Sequence, residues 1–128
     1  MRNVRLRGPR GLRLVAEVPA TRRERARGLR GRETVGPDRA MLFRDRRSIH
    51  TIGMRLPITV ACLDRWLGVR WVGVVPPRRI VPARRHVRHV LELAAGTDIR
   101  EGDRLRFVEA PAGKRSIERG QAIHIPPR

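Results

Sequence analysis

The segment from His50 to Asp64 carries the residue types in this chain best suited to contact a small polar molecule. His50 can both donate and accept a hydrogen bond near neutral pH, and Arg55 presents planar donors suited to a carboxylate or phosphate. Gly53 lets another group approach the backbone closely, and Met54 offers a flexible apolar contact. Together with Asp64, these residues predict a binding site for an anionic or polar small molecule.

Two alternatives use the same segment. In the first, the residues form a structural clasp, in which His50 bonds a backbone carbonyl and Arg55 pairs with Asp64 or Asp45. In the second, the chain is a small enzyme that uses His50 with Arg55 or Asp64. Because neither of the two serines lies in a nucleophile-elbow pattern, we assign no catalytic residue. The favoured function is therefore a non-enzymatic accessory domain that binds a small ligand or a partner.

Five arginines lie close together in a stretch without an acidic residue, namely Arg78, Arg79, Arg84, Arg85 and Arg88. They predict an anion-binding site, with a solvated loop and strand edge as the alternative. The stretch contains no aromatic residue, which argues against a stacking platform for single-stranded nucleic acid.

The charge of the whole chain favours polyanions as partners. Among 128 residues, 30 are basic and 12 acidic, which gives a net charge of +18. Such a field attracts polyanions at low salt, so arginine-driven, non-specific polyanion binding is a further alternative function. Since Lys114 is the only lysine, the preference for arginine indicates a GC-rich coding background rather than a function.

The remaining reactive side chains predict neither a metal site nor a cofactor. His86 and His89 are three residues apart, so on a strand they would point to opposite faces. Cys62, the only cysteine, lies in an apolar run and is expected to be a buried hydrophobe. No apolar run approaches the roughly 18 residues of a membrane-spanning helix, and the first residues alternate charged with apolar groups. We therefore expect a cytoplasmic protein without a membrane span.

The apolar periodicity predicts a mainly β fold, either a β-sandwich or a partly closed barrel, with one short helix near the N-terminus. Period-two alternation over residues 4–18 indicates a hairpin, and residues 57–64 and 69–75 form a second, central one. Shorter strands are expected over 40–43, 48–52, 87–93 and 105–108, whereas residues 76–82 are too rich in proline to form a regular element. Thr21 and Glu24 have the spacing of a capping box, which starts a helix over about residues 21–31.

Several short motifs, in a fixed order over residues 12–108, resemble the domain of unknown function 192 family. They are Thr21-x-x-Glu24-Arg25-x-x-Gly28-Leu29-x-x-Arg32, Met41-Leu42-Phe43, His50-Thr51-x-Gly53-Met54-Arg55-x-Pro57-Ile58, Leu63-Asp64, Val90-Leu91-Glu92-Leu93-x-Ala95-Gly96 and Gly102-Asp103-x-Leu105. The resemblance implies a β-rich domain with a short helix near its start, and no established activity. Relatives usually carry Asp where this chain has Thr59. Residues 1–109 are predicted to form a single domain. Residues 110–128 are predicted to be an extension that either adds one strand, at 122–125, or is disordered.

Overall fold

The computed structural model describes residues 2–108. Nine strands and one α-helix follow one another along these described residues: β1 (Arg2–Arg7), β2 (Arg13–Val18), α1 (Arg22–Arg27), β3 (Arg39–Phe43), β4 (Ile49–His50), β5 (Ile58–Leu63), β6 (Val69–Val75), β7 (Ile80–Val81), β8 (His89–Ala94) and β9 (Arg106–Val108). The mainly β class with one short helix is therefore confirmed. The predicted extension at 110–128 lies outside the described residues.

Seven of the strands form one sheet in the order β6-β5-β8-β3-β2-β1-β9. All neighbours are antiparallel except β2 and β3, which run parallel. The sheet is not closed into a barrel, although a single bridge joins Gly68, beside β6, to Arg104, beside β9. The strands β4 and β7 form a separate two-stranded ribbon.

Apolar residues cover both faces of the central strands, so the sheet separates two cores. On one face, Leu91 and Leu93 of β8 pack with Leu6, Leu14 and Leu105. On the other face, Val90 packs with a second set that includes Met41, Phe43, Val60, Leu29 and Met54. Because β8 lies inside the sheet and both of its faces are packed, a polar side chain on it is largely removed from bulk water.

The helix begins as its sequence predicts but ends earlier. The Thr21 hydroxyl accepts from the Glu24 amide at 3.0 Å, and the Glu24 carboxylate accepts from the Thr21 amide at 3.1 Å, which completes the capping box. Helical structure stops at Arg27 because Gly28 takes a positive φ of 51°. The predicted extent of about 21–31 was therefore too long at its C-terminal end.

Two further predictions differ from the structure. Residues 76–82 were predicted to lack regular structure, yet Ile80–Val81 form β7, paired with the Ile49–His50 strand. The predicted strand over 48–52 is shorter in the structure, because only Ile49 and His50 pair with another strand. Both predicted hairpins are present, as β1–β2 and β5–β6. Within residues 2–108 no helix has the length and apolarity needed to cross a bilayer.

Candidate ligand-binding site

One cleft, of about 610 Å³, opens between the end of α1 and the β4–β7 ribbon. Its walls come from residues 25–30, from six residues between 46 and 54 and from Ile80, and Phe43 and Glu92 lie on its inner side. We call it the glutamate cleft, because Glu92 is the one acidic side chain among residues 2–108 that lines it. A volume of this size is typical of a site for a small organic molecule.

Glu92 is a buried carboxyl group in the middle of the large sheet. It lies on β8 between Met41 of β3 and Val60 of β5, and only 5% of the residue is exposed. Burial raises the pKa of Glu92 to about 7, although the Leu29 backbone amide and the charges of Arg46 and Arg32 favour its ionised form. Among the described residues, its Oε1 atom has no hydrogen-bond partner. An acceptor of this kind can bind a donor that enters the cleft.

Arginines surround the same cleft. Arg25, Arg27, Arg30 and Arg46 line it, and within residues 2–108 none of them has a carboxylate within ion-pair distance. Arg46 stacks over the Phe43 ring, with its guanidinium carbon 4.8 Å from the ring centroid. This stacking holds a cation beside the apolar wall, where it can contact an anionic ligand.

The predicted ligand-binding residues between 50 and 55 are divided between the cleft and the solvent. His50 lines the cleft, and its Nδ1 accepts from the Ile52 amide at 3.2 Å; Met54 is buried in the cleft wall. A Cβ on Gly53 would lie 2.8 Å from Arg30 Cδ, so this glycine admits the arginine stem across the loop. Arg55 lies outside the cleft, with its side chain 61% exposed and paired with Glu33 at 3.3 Å.

Asp64 belongs to a different part of the molecule. It lines a second cleft, of about 460 Å³, together with Trp66, Arg70, His86 and Arg88. We call this the tryptophan cleft. Asp64 Oδ1 accepts from the backbone amides of Trp66 and Gly68 at 2.9 and 2.8 Å, so the carboxylate orders the β5–β6 turn. None of the described contacts joins Asp64 to His50 or Arg55.

The five candidate anion-binding arginines do not converge on one point. The backbone of Arg78 and Arg79 bonds to Thr51, while Arg84 stacks on Trp71 with 4.3 Å between guanidinium carbon and ring centroid. Arg88 lines the tryptophan cleft and lies 3.9 Å from Asp45. Arg85 is exposed, as are Arg78, Arg79 and Arg88.

Sequence reasoning assigned no role to Thr51, which joins the two sides of the ribbon. Its hydroxyl donates to the Pro76 carbonyl at 2.7 Å and accepts from the Arg79 amide at 2.9 Å, and the residue is fully buried. The predicted clasp, in which His50 bonds a carbonyl and Arg55 pairs with Asp64 or Asp45, is absent from the described contacts; Thr51 makes the clasp that joins the ribbon. Glu92 was also missed as a site residue. Its one signal in the sequence is that this charged residue stands in an apolar run, between Leu91 and Leu93.

Four further residues discussed from the sequence, Cys62, His86, His89 and Thr59, lie outside the glutamate cleft. Cys62 is buried, as expected, and burial raises the pKa of its thiol. His89 is buried and accepts from the Asp45 amide, whereas His86 is exposed in the tryptophan cleft. Thr59, at the position where relatives usually carry Asp, is buried and accepts from the Gly96 amide at 3.0 Å. Residues 2–108 bring together no three His, Cys, Asp or Glu side chains that could hold a metal ion.

The chain matches known proteins over most of its length. The family model DUF192, described as "Uncharacterized ACR", matches residues 4–107 and confirms the resemblance based on the short motifs. A structure from Sinorhizobium meliloti 1021, described as a "putative transcription regulator", has 28% identity and a TM-score of 0.70, covering 82% of this chain and 92% of that one. A protein of unknown function from Novosphingobium aromaticivorans DSM 12444 has 25% identity and a TM-score of 0.66, covering 81% and 83%. No curated protein matches.

Proposed function

Because this chain belongs to the domain of unknown function 192 family, which is uncharacterised, we propose a function from the geometry: a non-enzymatic domain that binds a small organic anion in the glutamate cleft. The observation that carries the proposal is the buried Glu92 carboxyl, whose Oε1 has no hydrogen-bond partner among the described residues. Leaving a buried acceptor unpaired costs about 1–3 kcal/mol. A ligand that brings a donor to this atom recovers that free energy.

The arginines of the cleft favour an anionic ligand. Among the described residues, Arg25, Arg27, Arg30 and Arg46 bring four positive charges to the cleft, and Glu92 is the one acidic residue that lines it. A guanidinium presents paired N–H donors whose geometry fits a carboxylate or a phosphate. We therefore place the acidic group of the ligand toward these side chains.

The rest of the ligand is expected to be apolar, with a donor at the end away from its acid. Leu29, Phe43 and Met54 provide apolar surface inside the cleft, and Ile52 and Ile80 are 53% and 71% exposed. Glu92 then selects a hydroxyl or amino group. The ligand class is an amphipathic acid that carries a hydrogen-bond donor.

Pairs of compounds that differ by one donor test the proposal. Thermal shift and calorimetry compare benzoate with para-hydroxybenzoate, and aliphatic carboxylates and phosphates with and without a distal hydroxyl or amine. We expect the donor-bearing member to bind more tightly, by about 5- to 100-fold. Glu92→Gln should reduce that preference, while Glu101→Gln, at an exposed residue outside both clefts, should leave it unchanged. The absence of binding by every acid tested would contradict the proposal.

The enzymatic alternative, His50 acting with Arg55 or Asp64, is not supported by these contacts. His50 and Asp64 line different clefts, and Arg55 pairs with Glu33. General acid–base chemistry requires the groups to be within hydrogen-bond reach of one reacting molecule. The glutamate cleft therefore favours binding over catalysis.

A second candidate function, polyanion binding, is favoured by the net charge of +18 and by the exposure of Arg78, Arg79, Arg85 and Arg88. Binding of this kind weakens steeply with salt because counterions are released from the polymer. Titration with heparin and with an unrelated DNA duplex at several salt concentrations tests it. Absence of binding even at low salt would contradict this second candidate.

A further inference from the structure

The tryptophan cleft contains an exposed indole that is carried on an ordered turn. Trp66 lies in the β5–β6 turn and is 47% exposed. Its backbone amide donates to Asp64 Oδ1, which also accepts from Gly68 in the same turn. A bulky aromatic side chain on an ordered turn can bind a flat partner with little loss of conformational entropy.

Positive side chains surround this ring. The Arg65 guanidinium carbon is 5.1 Å from the centroid of the Trp66 ring. The side chains of Arg70 and Arg88 are 47% and 49% exposed in the same cleft, with single carboxylate neighbours no closer than 3.8 and 3.9 Å. Asp64, the one acidic residue that the described part of the chain brings to this cleft, is turned to the backbone amides of its own turn and is 8% exposed.

Residues distant in sequence meet here because of strand pairing. Antiparallel pairing of β5 with β8 places Leu63 opposite His89, and the Arg88 amide donates to the Leu63 carbonyl at 2.7 Å. Residues 86–88 therefore lie beside residues 64–66. The arginine-rich stretch, which contains no aromatic residue of its own, acquires one from a different part of the chain.

We propose that the tryptophan cleft binds single-stranded nucleic acid, with a base stacked on Trp66 and its flanking phosphates held by Arg65, Arg70 and Arg88. The inference rests on the polyanion-binding candidate and adds to it a site and a strand type. Stacking on an aromatic side chain requires an unpaired base, and arginines beside the ring contact the backbone of the strand. A duplex offers no such base. The described chain also has no helix long enough to read a major groove, since α1 has six residues.

Fluorescence provides a direct measurement, because the chain has two tryptophans. In a Trp71→Phe background, Trp66 is the sole tryptophan, and stacking should quench its emission. The probe is an oligothymidylate of about 12 nucleotides, a length within the usual site sizes for single strands. A duplex of the same length and a polyglutamate peptide are the competitors, each titrated at low and at physiological salt.

We expect the single strand to bind more tightly than the duplex and to quench Trp66. In the native background, Trp66→Ala should weaken single-strand binding about 10-fold, since stacking contributes about 1–3 kcal/mol per base. Val74→Ala, which also removes an exposed apolar side chain, should have no effect. Arg88→Gln should weaken binding more than Arg5→Gln, an equal change of charge at an exposed residue outside both clefts.

The outcomes separate the inference from the candidate on which it rests. Equal affinity for single strand and duplex, with no effect of Trp66→Ala, would overturn the inference and leave non-specific polyanion binding. Absence of binding by any nucleic acid at low salt would overturn the inference, and absence of heparin binding as well would overturn the candidate. Displacement of the single strand by polyglutamate at equal charge concentration would also overturn the inference, because it would assign the cleft to acidic peptides.

Discussion

Gly28 ends the helix directly above the Glu92 carboxyl. A Cβ at Gly28 would lie 3.4 Å from Glu92 Oε1 and 3.1 Å from Phe43 Cζ. These short distances show that the helix end lies against the buried acid. The positive φ of Gly28 turns the chain toward Leu29, whose side chain is buried in the same core as Phe43. The length of α1 and the depth of the glutamate cleft therefore depend on the same glycine.

Gly28→Ala should lower the free energy of unfolding by about 2 kcal/mol, because the variant combines a strained φ of 51° with crowding against Phe43. Gly31→Ala is the matched control, since Gly31 also has a positive φ but a Cβ there would have no atom within 4 Å. The control should cost about 1 kcal/mol from backbone strain. Urea denaturation measures both, and equal losses would show that the contact with Phe43 is unimportant.

The buried acid and a buried base have opposite effects on stability as pH changes. The folded pKa of Glu92 is raised from 4.5 to about 7, so the folded state holds a proton that the unfolded state releases, and stability falls as pH rises through this window. Burial lowers the pKa of His89 from 6.5 to about 4. The unfolded state therefore binds the proton first, and this contribution to stability is lost as pH falls from about 6.5 to 4.

Glu92→Gln should reveal the His89 contribution. Glutamine keeps the shape of the side chain but carries no charge, so the loss of stability on raising the pH disappears. Between about pH 4.5 and 6.5 the free energy of unfolding of the variant should rise by about 2 kcal/mol, whereas that of the parent should change less because the two effects oppose each other. Urea denaturation at a series of pH values measures both curves. Parallel curves would contradict the assigned pKa of Glu92.

Local sequence patterns predicted most of the strands and the start of the helix, because alternation and capping depend on neighbours within a few residues. They could not predict that Glu92 is buried. A single acid among Val90, Leu91 and Leu93 looks like the solvent side of a strand, and only the central place of β8 in the sheet covers both faces. The meeting of Trp66 with Arg88 has the same origin, since it follows from the pairing of β5 with β8.

Asp64 should stabilise the turn that presents Trp66. Asp64→Ala removes the acceptor of two backbone donors, at Trp66 and Gly68, and should cost about 2 kcal/mol. Asp64→Asn retains one oxygen acceptor and should cost less. Asp98→Ala, at a 55% exposed carboxylate, is the control and should change stability little. Denaturation midpoints measure the effect, and tryptophan fluorescence anisotropy in the Trp71→Phe background should fall in Asp64→Ala as the turn loosens. Unchanged anisotropy would contradict this role.

The Thr51 side chain should stabilise the β4–β7 ribbon, because it lies at the point where the two sides of the ribbon are joined. Its backbone amide donates to the Arg79 carbonyl at 2.8 Å, and its carbonyl accepts from Arg78 and Met54. These backbone bonds do not involve the side chain, so a substitution at Thr51 measures the contribution of the hydroxyl to stability.

Thr51→Val keeps the shape of the side chain and leaves the Pro76 carbonyl and the Arg79 amide without their partner, so it should cost about 2 kcal/mol. Thr51→Ser keeps the hydroxyl and loses a buried methyl group, which should cost about 1 kcal/mol. His50→Ala, at an exposed side chain, should change stability by less than about 0.5 kcal/mol. Urea denaturation gives the three values, and hydrogen exchange of the Arg79 amide reports the clasp itself. If His50→Ala proved as costly as Thr51→Val, the clasp would belong to the histidine after all.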